Sequence, residues 1–517
     1  MVSWKGNNMT NFFDSMRNSQ LSRTENGALG YATSGKRLVD LNFKTSSLRG
    51  AKDLEILGAF YDAYAEDPVL ALRWLFYARD IRGGMGERNI FRVILNSLVK
   101  SGKVSVGEDL YNLVGEYGRY DDYINLLDLD LTDRQENTIL HTIYRKFGTD
   151  IRKAEAGESV SLLGKWMPSI NTSSAKTKAR ARKIAKAMGM PHRIYRKYLK
   201  ELREAIGVVE QTISAQDWDE VNYEHVPSQA NLKYGDAFLR HDELRRRVFL
   251  NSLSRGEVKV NASVVNPCEI VHKYGSGSWR TILKAEDALL EGMWKNLPKK
   301  EISNTLVVAD GSGSMTVTVG NSSMRAIDVA NSLAIYFAEH NKGEFYNKYI
   351  TFSSRPQFVD FGVGARSLHD KLQIALTHNE CSNTNIEAVF DLILRTAVVN
   401  HLSQNEMPER ILIVSDMEFD AARGYYGGRG TRNDDTLFAN IASKYARAGY
   451  KLPRLVFWNV NSRTGTFPIQ ENENGVALIS GYSVNVAEMV MSDKLDPFEI
   501  LKDTLERYSK VDHLAIK

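Results

Sequence analysis

A change of hydrophobic spacing near Asn304 constrains this chain more than any other feature. Before it, over about residues 54–297, apolar side chains recur at helical intervals. Leu54, Leu57, Phe60, Tyr61 and Tyr64 form one series. Leu70, Leu72, Leu75, Phe76 and Ile81 form the next, up to the break at Gly83-Gly84, and another helix is expected around 90–99. Clear strand patterns are absent there. Successive helices with short polar breaks predict stacked helical hairpins, a HEAT-like helical repeat. After Asn304 the spacing becomes that of short buried strands: 305–309 (TLVVA), 349–352, 357–361, Arg410–Ser415 (RILIVS), 455–458 and Val476–Ser480. Helical stretches at 324–340, 367–376, 386–401 and 437–448 lie between most of them, and a last helix is expected at 497–507. Alternating strands and helices predict an open, mostly parallel, doubly wound (Rossmann-like) sheet covered on both faces.

The chain therefore reads as multidomain: a polar N-terminal arm over 1–50 that packs on something else or stays loose, an all-α repeat over 51–300, and an α/β domain over 301–517. Within the arm, Arg37–Phe43 (RLVDLNF) is a candidate ordered piece. With 517 residues and a formal charge of +4, whole-chain charge favours no partner; its distribution has to be examined instead. Two cysteines, Cys268 and Cys381, are too few for a disulfide framework or a Cys-rich zinc site. No signal peptide or membrane-length apolar run is seen, so a soluble protein of the cytoplasm is expected.

In a doubly wound sheet, ligands bind beyond the carboxyl ends of the strands. Three loops there carry oxygen donors. Asp310-Gly311-Ser312-Gly313-Ser314 follows the first strand, and its spacing aims a carboxylate and two hydroxyls at one point. Asn383-Thr384-Asn385 directly precedes a helix and adds a hydroxyl. Ser415-Asp416 ends the strand RILIV and adds the second carboxylate. Hard oxygen donors, two of them charged, suit Mg²⁺ or Mn²⁺. Helix capping explains Thr384 without a metal, but not the whole set. The Asp-Gly-Ser-Gly-Ser loop lacks the Gly-x-Ser-x-Gly order of a hydrolase elbow, the ten histidines show no ligand spacing, and no Walker loop is present, so no enzyme is expected.

This constellation resembles the metal-ion-dependent adhesion site (MIDAS) of von Willebrand factor A (vWA) domains. The resemblance implies direct coordination by Ser312, Ser314 and Thr384. It implies that Asp310 and Asp416 act directly or through water, and that one position is left for an acidic group of a partner. The loop Ser382-Asn383-Thr384 departs from the family, in which two glycines often precede the Thr.

Charge is concentrated between 176 and 203. Lys176, Lys178, Arg180, Arg182, Lys183, Lys186, Arg193, Arg196, Lys197, Lys200 and Arg203 face one acid, Glu201. Ala181, Ile184, Ala185, Met188, Tyr195, Tyr198, Leu199 and Leu202 fall on the other side. This predicts a helical hairpin, broken at Gly189-Met190-Pro191, with one face in a core and a cationic face outside. Like charges at this density repel, and phosphate backbone is the partner that best offsets them, with His192 and Tyr195 available for stacking. The same run is also compatible with an incidental basic surface or with an acidic protein partner. The loop Gly424-Tyr425-Tyr426-Gly427-Gly428-Arg429-Gly430 suits contact with a partner or a nucleic acid, or a plain surface loop.

Two charged glycine turns, Arg79-Asp80-Ile81-Arg82-Gly83-Gly84-Met85-Gly86-Glu87-Arg88 and Gly118-Arg119-Tyr120-Asp121-Asp122-Tyr123, read as structural, with Arg82 and Arg88 as secondary RNA candidates. Together with the domain order and the basic hairpin, they resemble the TROVE/vWA family of Ro autoantigen-like RNA-binding proteins. Thr24-Glu25-Asn26-Gly27-Ala28 is similar to a segment of uncharacterised phage and plant relatives. The resemblance implies a ribonucleoprotein: a ring of HEAT-like repeats closed by the vWA domain, binding Y-RNA-like small RNA on a basic outer surface and misfolded RNA through the hole. The competing expectation is a vWA scaffold or co-chaperone that captures an acidic protein ligand through its metal, without RNA.

Overall fold

The computed structural model describes residues 21–276, 282–320, 322–352, 355–362, 364–379, 385–419, 437–468, 476–492, 494 and 496–514. The strands are β1 (Leu21–Arg23), β2 (Leu29–Tyr31), β3 (Gly275–Ser276), β4 (Ile282–Leu283), β5 (Thr305–Asp310), β6 (Lys348–Phe352), β7 (Gln357–Asp360), β8 (Arg410–Ser415), β9 (Arg454–Asn459) and β10 (Val476–Ser480). The last six form one sheet in the order β10-β9-β8-β5-β6-β7. Every pairing in it is parallel except β6 with β7, which closes one edge antiparallel. All residues of β5, β8 and β10 are buried, so alternate side chains are covered on both faces. That is why these strands read as unbroken apolar runs.

From β5 the chain moves outward to β6 and β7, then returns to the other side of β5 for β8, β9 and β10. The crevice between β5 and β8 is therefore the topological switch point of a doubly wound sheet. Ala309 is in register with Val414, which sets Asp310 and Ser415 side by side at the carboxyl ends. The helix Ala326–His340 crosses behind this point, and residues 326–338 of it are buried.

The described residues divide into two compact units. One takes the stretch up to Leu70 together with Val265–Glu506; the other takes Ala71–Val264 and the stretch from Arg507. The α/β unit thus extends beyond the 301–517 span that spacing delimits. The Arg37–Phe43 helix buries Leu38, Val39, Leu41 and Phe43 and packs on β10 and on the Asp53–Glu66 helix. Ser46 Oγ donates to Asn459 O at 2.9 Å and accepts from Gly481 N at 2.9 Å, and Asn459 Nδ2 donates to Phe43 O at 2.8 Å. The described part of the polar arm is accordingly a layer of the α/β unit. The short β3–β4 hairpin falls where helical spacing predicts no strand.

The second unit is helical apart from its turns. The Asp133–Glu155 helix packs against both Ala175–Ala187 and His192–Ile206. The hairpin turns at Gly189 (φ +64°), and Ala181, Ile184, Ala185, Tyr195, Leu199 and Leu202 are buried, as the apolar face requires. The two charged glycine turns converge. Arg79 Nε donates to Asp122 Oδ2 at 2.8 Å, and Arg92 Nε donates to Asp122 Oδ1 at 2.5 Å. A Cβ on Gly84 would lie 2.0 Å from Tyr77 O, so that position needs glycine for close approach; one on Gly118 would lie 3.0 Å from Asp122 Oδ2, a tight fit. Asp122→Ala would strand the buried Arg79 guanidinium. It is expected to destabilise this unit by about 3–5 kcal/mol, read as a lower urea midpoint. No change in midpoint would remove the structural role assigned to the turn. Among the described residues no helix is long and apolar enough to cross a membrane.

Candidate metal centre and cationic groove

The metal candidates gather at the switch point. Asp310 Oδ1 accepts from Ser312 N at 2.9 Å, and its Oδ2 accepts from Ser415 Oγ at 2.6 Å. Ser312 Oγ and Ser314 Oγ are 2.9 Å apart. Asp416 Oδ1 accepts from Glu418 N at 3.2 Å. Thr384, the remaining donor, lies outside the described residues, as do Ser382, Asn383 and the 424–430 loop. Asn385, the next residue, caps the Ile386–Val399 helix by accepting from Ala388 N. Gly311 runs so close to Asn379 that a Cβ would lie 2.9 Å from its Oδ1.

Asp310 and Asp416 are 1 % and 0 % exposed. Burial first, then the Asp416 charge, holds the Asp310 carboxyl well above the usual carboxylate range. Burial does the same to Asp416, opposed by the Arg463 guanidinium. Two desolvated acids facing a pair of hydroxyls form a donor set short of positive charge, and a hard divalent cation fits it chemically. Among the described residues no group of three or more His, Cys, Asp or Glu could hold a metal; this set has only two acids and relies on hydroxyls. Met417, directly after Asp416, has φ +63°, a strained conformation for a non-glycine residue and one that marks many functional sites.

The cationic candidates separate into two groups. Lys176 and Arg180 pair with Asp128, Arg180 also reaches Asn125, and Lys183 pairs with Glu136 at 2.6 Å. Part of the repulsion inferred from the sequence is thus offset by acids on neighbouring elements. Lys178, Arg182, Lys186, His192, Arg193 and Arg196 make no ion pair among the described residues. Lys197 and Lys200 have only exposed i,i+4 partners, Glu201 and Glu204, at 3.6 and 3.4 Å; such pairs are weak and easily exchanged. Tyr195 is fully buried, donates to Pro168 O at 2.8 Å and lies against Phe147, so it is not available for stacking.

A groove runs along the His192–Ile206 helix. Arg193, Arg196, Lys197, Lys200 and Arg203 line one side; Ser169, Asn171 and Gln211 supply neutral polar groups. Among the described residues no acid lines it. Arg203 is held in place by Gly164 O, Met167 O and Ser169 Oγ at 3.1, 2.8 and 3.0 Å. The ten helical rises from Arg193 to Arg203 give a cationic wall of ~15 Å.

Comparison with known proteins places these features. A model described as domain of unknown function DUF2828 matches residues 24–145 and 144–303. One described as domain of unknown function DUF7788 matches residues 304–512. The chain belongs to the DUF2828 family. It is also similar to an uncharacterised protein of Acanthamoeba polyphaga mimivirus, 28% identical over 532 residues, which cover 95% of this chain and 88% of that protein. The cationic groove lies in the DUF2828 stretch and the two acids lie in the DUF7788 stretch, and the two matches meet where the spacing changes.

The first residues of the DUF2828 match dock beside the acids. Thr24 Oγ1 donates to Phe419 O at 2.5 Å, Asn26 Nδ2 to Glu418 O at 2.7 Å, and Glu25 N to Glu418 Oε2 at 2.8 Å. Glu418 is itself fully buried, and its Oε1 accepts from Arg463 N and Thr464 N at 2.7 and 2.9 Å. Sequence reasoning assigns nothing to Glu418 or Arg463. The one signal for Glu418 is its position two residues after a strand-terminal acid. Glu418→Ala would leave three main-chain N–H groups without their acceptor and is expected to cost about 3 kcal/mol or more. Faster hydrogen exchange at Glu25, Arg463 and Thr464 would report it; unchanged protection would show that Glu418 does not hold this corner.

Proposed function

We propose that this protein binds small structured or misfolded RNA through the cationic face of the DUF2828 stretch, in the manner of the TROVE/vWA proteins it resembles. The observation that carries this reading is the Arg193–Arg203 groove: five cations in one concavity, with no acid in its lining among the described residues. Neutralising those charges releases counterions from a phosphate backbone, a source of affinity that needs no base contact. Among the described residues no aromatic ring lines the groove, so its recognition is of phosphate rather than of sequence. Arg182, Lys178 and Lys186 extend the cationic face outside the groove.

In the same reading the α/β unit is a vWA-type domain. Ser312, Ser314 and Thr384, with Asp310 and Asp416, would hold Mg²⁺ or Mn²⁺, which when bound supplies a Lewis-acidic position for an acidic partner. The scaffold alternative shares this metal face but has no use for the groove. An enzymatic role is set aside. His272 does bridge Ser323 Oγ (3.0 Å) and Asp328 Oδ2 (3.2 Å) in the order of a hydrolase triad. Asp328, however, is engaged by the Arg325 guanidinium on both oxygens and caps the Ala326–His340 helix. The bridge reads as a pin between the Pro267–Tyr274 and Ala326–His340 helices.

The test is purification from the native host without nuclease, followed by sequencing of the retained RNA. A defined set of small RNAs, released by high salt, is the expected result. Protein free of RNA that also shows no affinity for added RNA would contradict the proposal.

A further inference from the structure

The 24–28 turn takes no part in RNA binding as read above, yet it is built against the metal face. It closes on itself through Gly27 N to Thr24 O and Thr24 N to Ala28 O, both 3.0 Å, with Gly27 at φ +89°. Its three hydrogen bonds to Glu418 and Phe419 leave the Glu25 carboxylate able to reach outward. That carboxylate lies 2.6 Å from Arg463 Nη2, the same nitrogen that lies 3.3 Å from Asp416 Oδ2. Arg463 is anchored through its backbone to Glu418, so only its side chain can choose between the two acids.

We infer that Arg463 and Glu25 set the divalent-cation affinity of the Asp310/Asp416 site: Arg463 is the resident countercharge that a cation displaces from Asp416, and Glu25 is the carboxylate that receives it. The inference rests on the metal reading above. Its logic is electrostatic. A guanidinium on Asp416 repels a divalent ion bound to the same carboxylate. Glu25, half exposed beyond it, draws that charge away from the site. One nitrogen shared by a buried acid and an exposed one is therefore a two-position arrangement, and its balance shifts when a cation arrives. The consequence is unusual for neighbouring residues: loss of the base strengthens cation binding and loss of the acid weakens it.

The experiment is calorimetric titration of Mg²⁺ into the full-length protein and into Arg463→Ala, Arg463→Lys, Glu25→Gln, Arg463→Ala/Glu25→Gln and Asp310→Ala variants. Circular dichroism in EDTA confirms that each is folded. Arg463→Ala is expected to bind Mg²⁺ roughly tenfold more tightly than wild type and Glu25→Gln several-fold more weakly. Arg463→Lys, which keeps the charge, stays near wild type, and the double variant behaves as Arg463→Ala. Arg463→Ala binding no more tightly than wild type, while Asp310→Ala loses binding, would overturn the inference and leave the metal site standing. Wild type that binds no Mg²⁺, or Asp310→Ala that binds as well as wild type, would overturn both.

Discussion

Asp310→Ala is expected to abolish the Mg²⁺-dependent rise in melting temperature of the wild-type protein. At a Mg²⁺ concentration about 100-fold above Kd, binding to the native state alone adds about 2.7 kcal/mol to wild-type stability. Asp310 supplies one of only two charges in the donor set and holds Ser312 N and Ser415 Oγ in place, so its loss removes both charge and loop geometry. In EDTA the order reverses for the isosteric change. Asp310 is buried, and its carboxyl is held above the usual range by burial and by Asp416. Asp310→Asn relieves that like-charge contact and is expected to be the more stable protein without metal. A Mg²⁺ response equal in wild type and Asp310→Ala would remove the site.

The second large effect is on RNA. Arg193→Glu/Arg196→Glu is expected to lower affinity for a single-stranded oligonucleotide on the order of 100-fold at low salt. Each substitution removes one phosphate-binding cation and adds a repulsion. The dependence of log K on log salt should flatten by about 0.7 for each phosphate no longer neutralised. Lys176→Glu/Arg180→Glu is the informative control. Those side chains are engaged by Asp128 and Asn125, so this change should act more on stability than on RNA. Equal loss of affinity from both pairs would point to diffuse charge attraction rather than to the groove.

What the sequence discloses depends on the range of the interaction. Strands β5 and β8 are visible because strands buried on both faces must be apolar throughout, and an acid directly after such a run stands at the carboxyl edge of a sheet. Asp310 and Asp416 are therefore legible as neighbours although they are far apart along the chain. The Ala175–Ala187 and His192–Ile206 helices are legible from helical spacing and from the Gly189-Met190-Pro191 break. Glu25, Glu418 and Arg463 carry no such signal. Their contacts join the beginning of the described chain to two loops near its other end, and no local period records that. The same blindness makes the 176–203 charge run look more exposed than it is, because Asp128 and Glu136, on other elements, answer part of it. Tyr195 fails as a stacking residue for a related reason. Its place on the apolar stripe and its place beside cations are both true, and packing against Phe147 decides between them.

The most direct measurement of the central claim is the affinity of the purified, nucleic-acid-free protein for a small RNA, followed by fluorescence anisotropy across a salt series. Binding through the groove predicts a linear fall of log K with log salt, with a slope of about −2.8 if Arg193, Arg196, Lys197 and Lys200 each meet one phosphate of a single strand. It also predicts a smaller slope in Arg193→Glu/Arg196→Glu. Affinity that is absent at low salt, or that is present and indifferent to salt, would contradict the account.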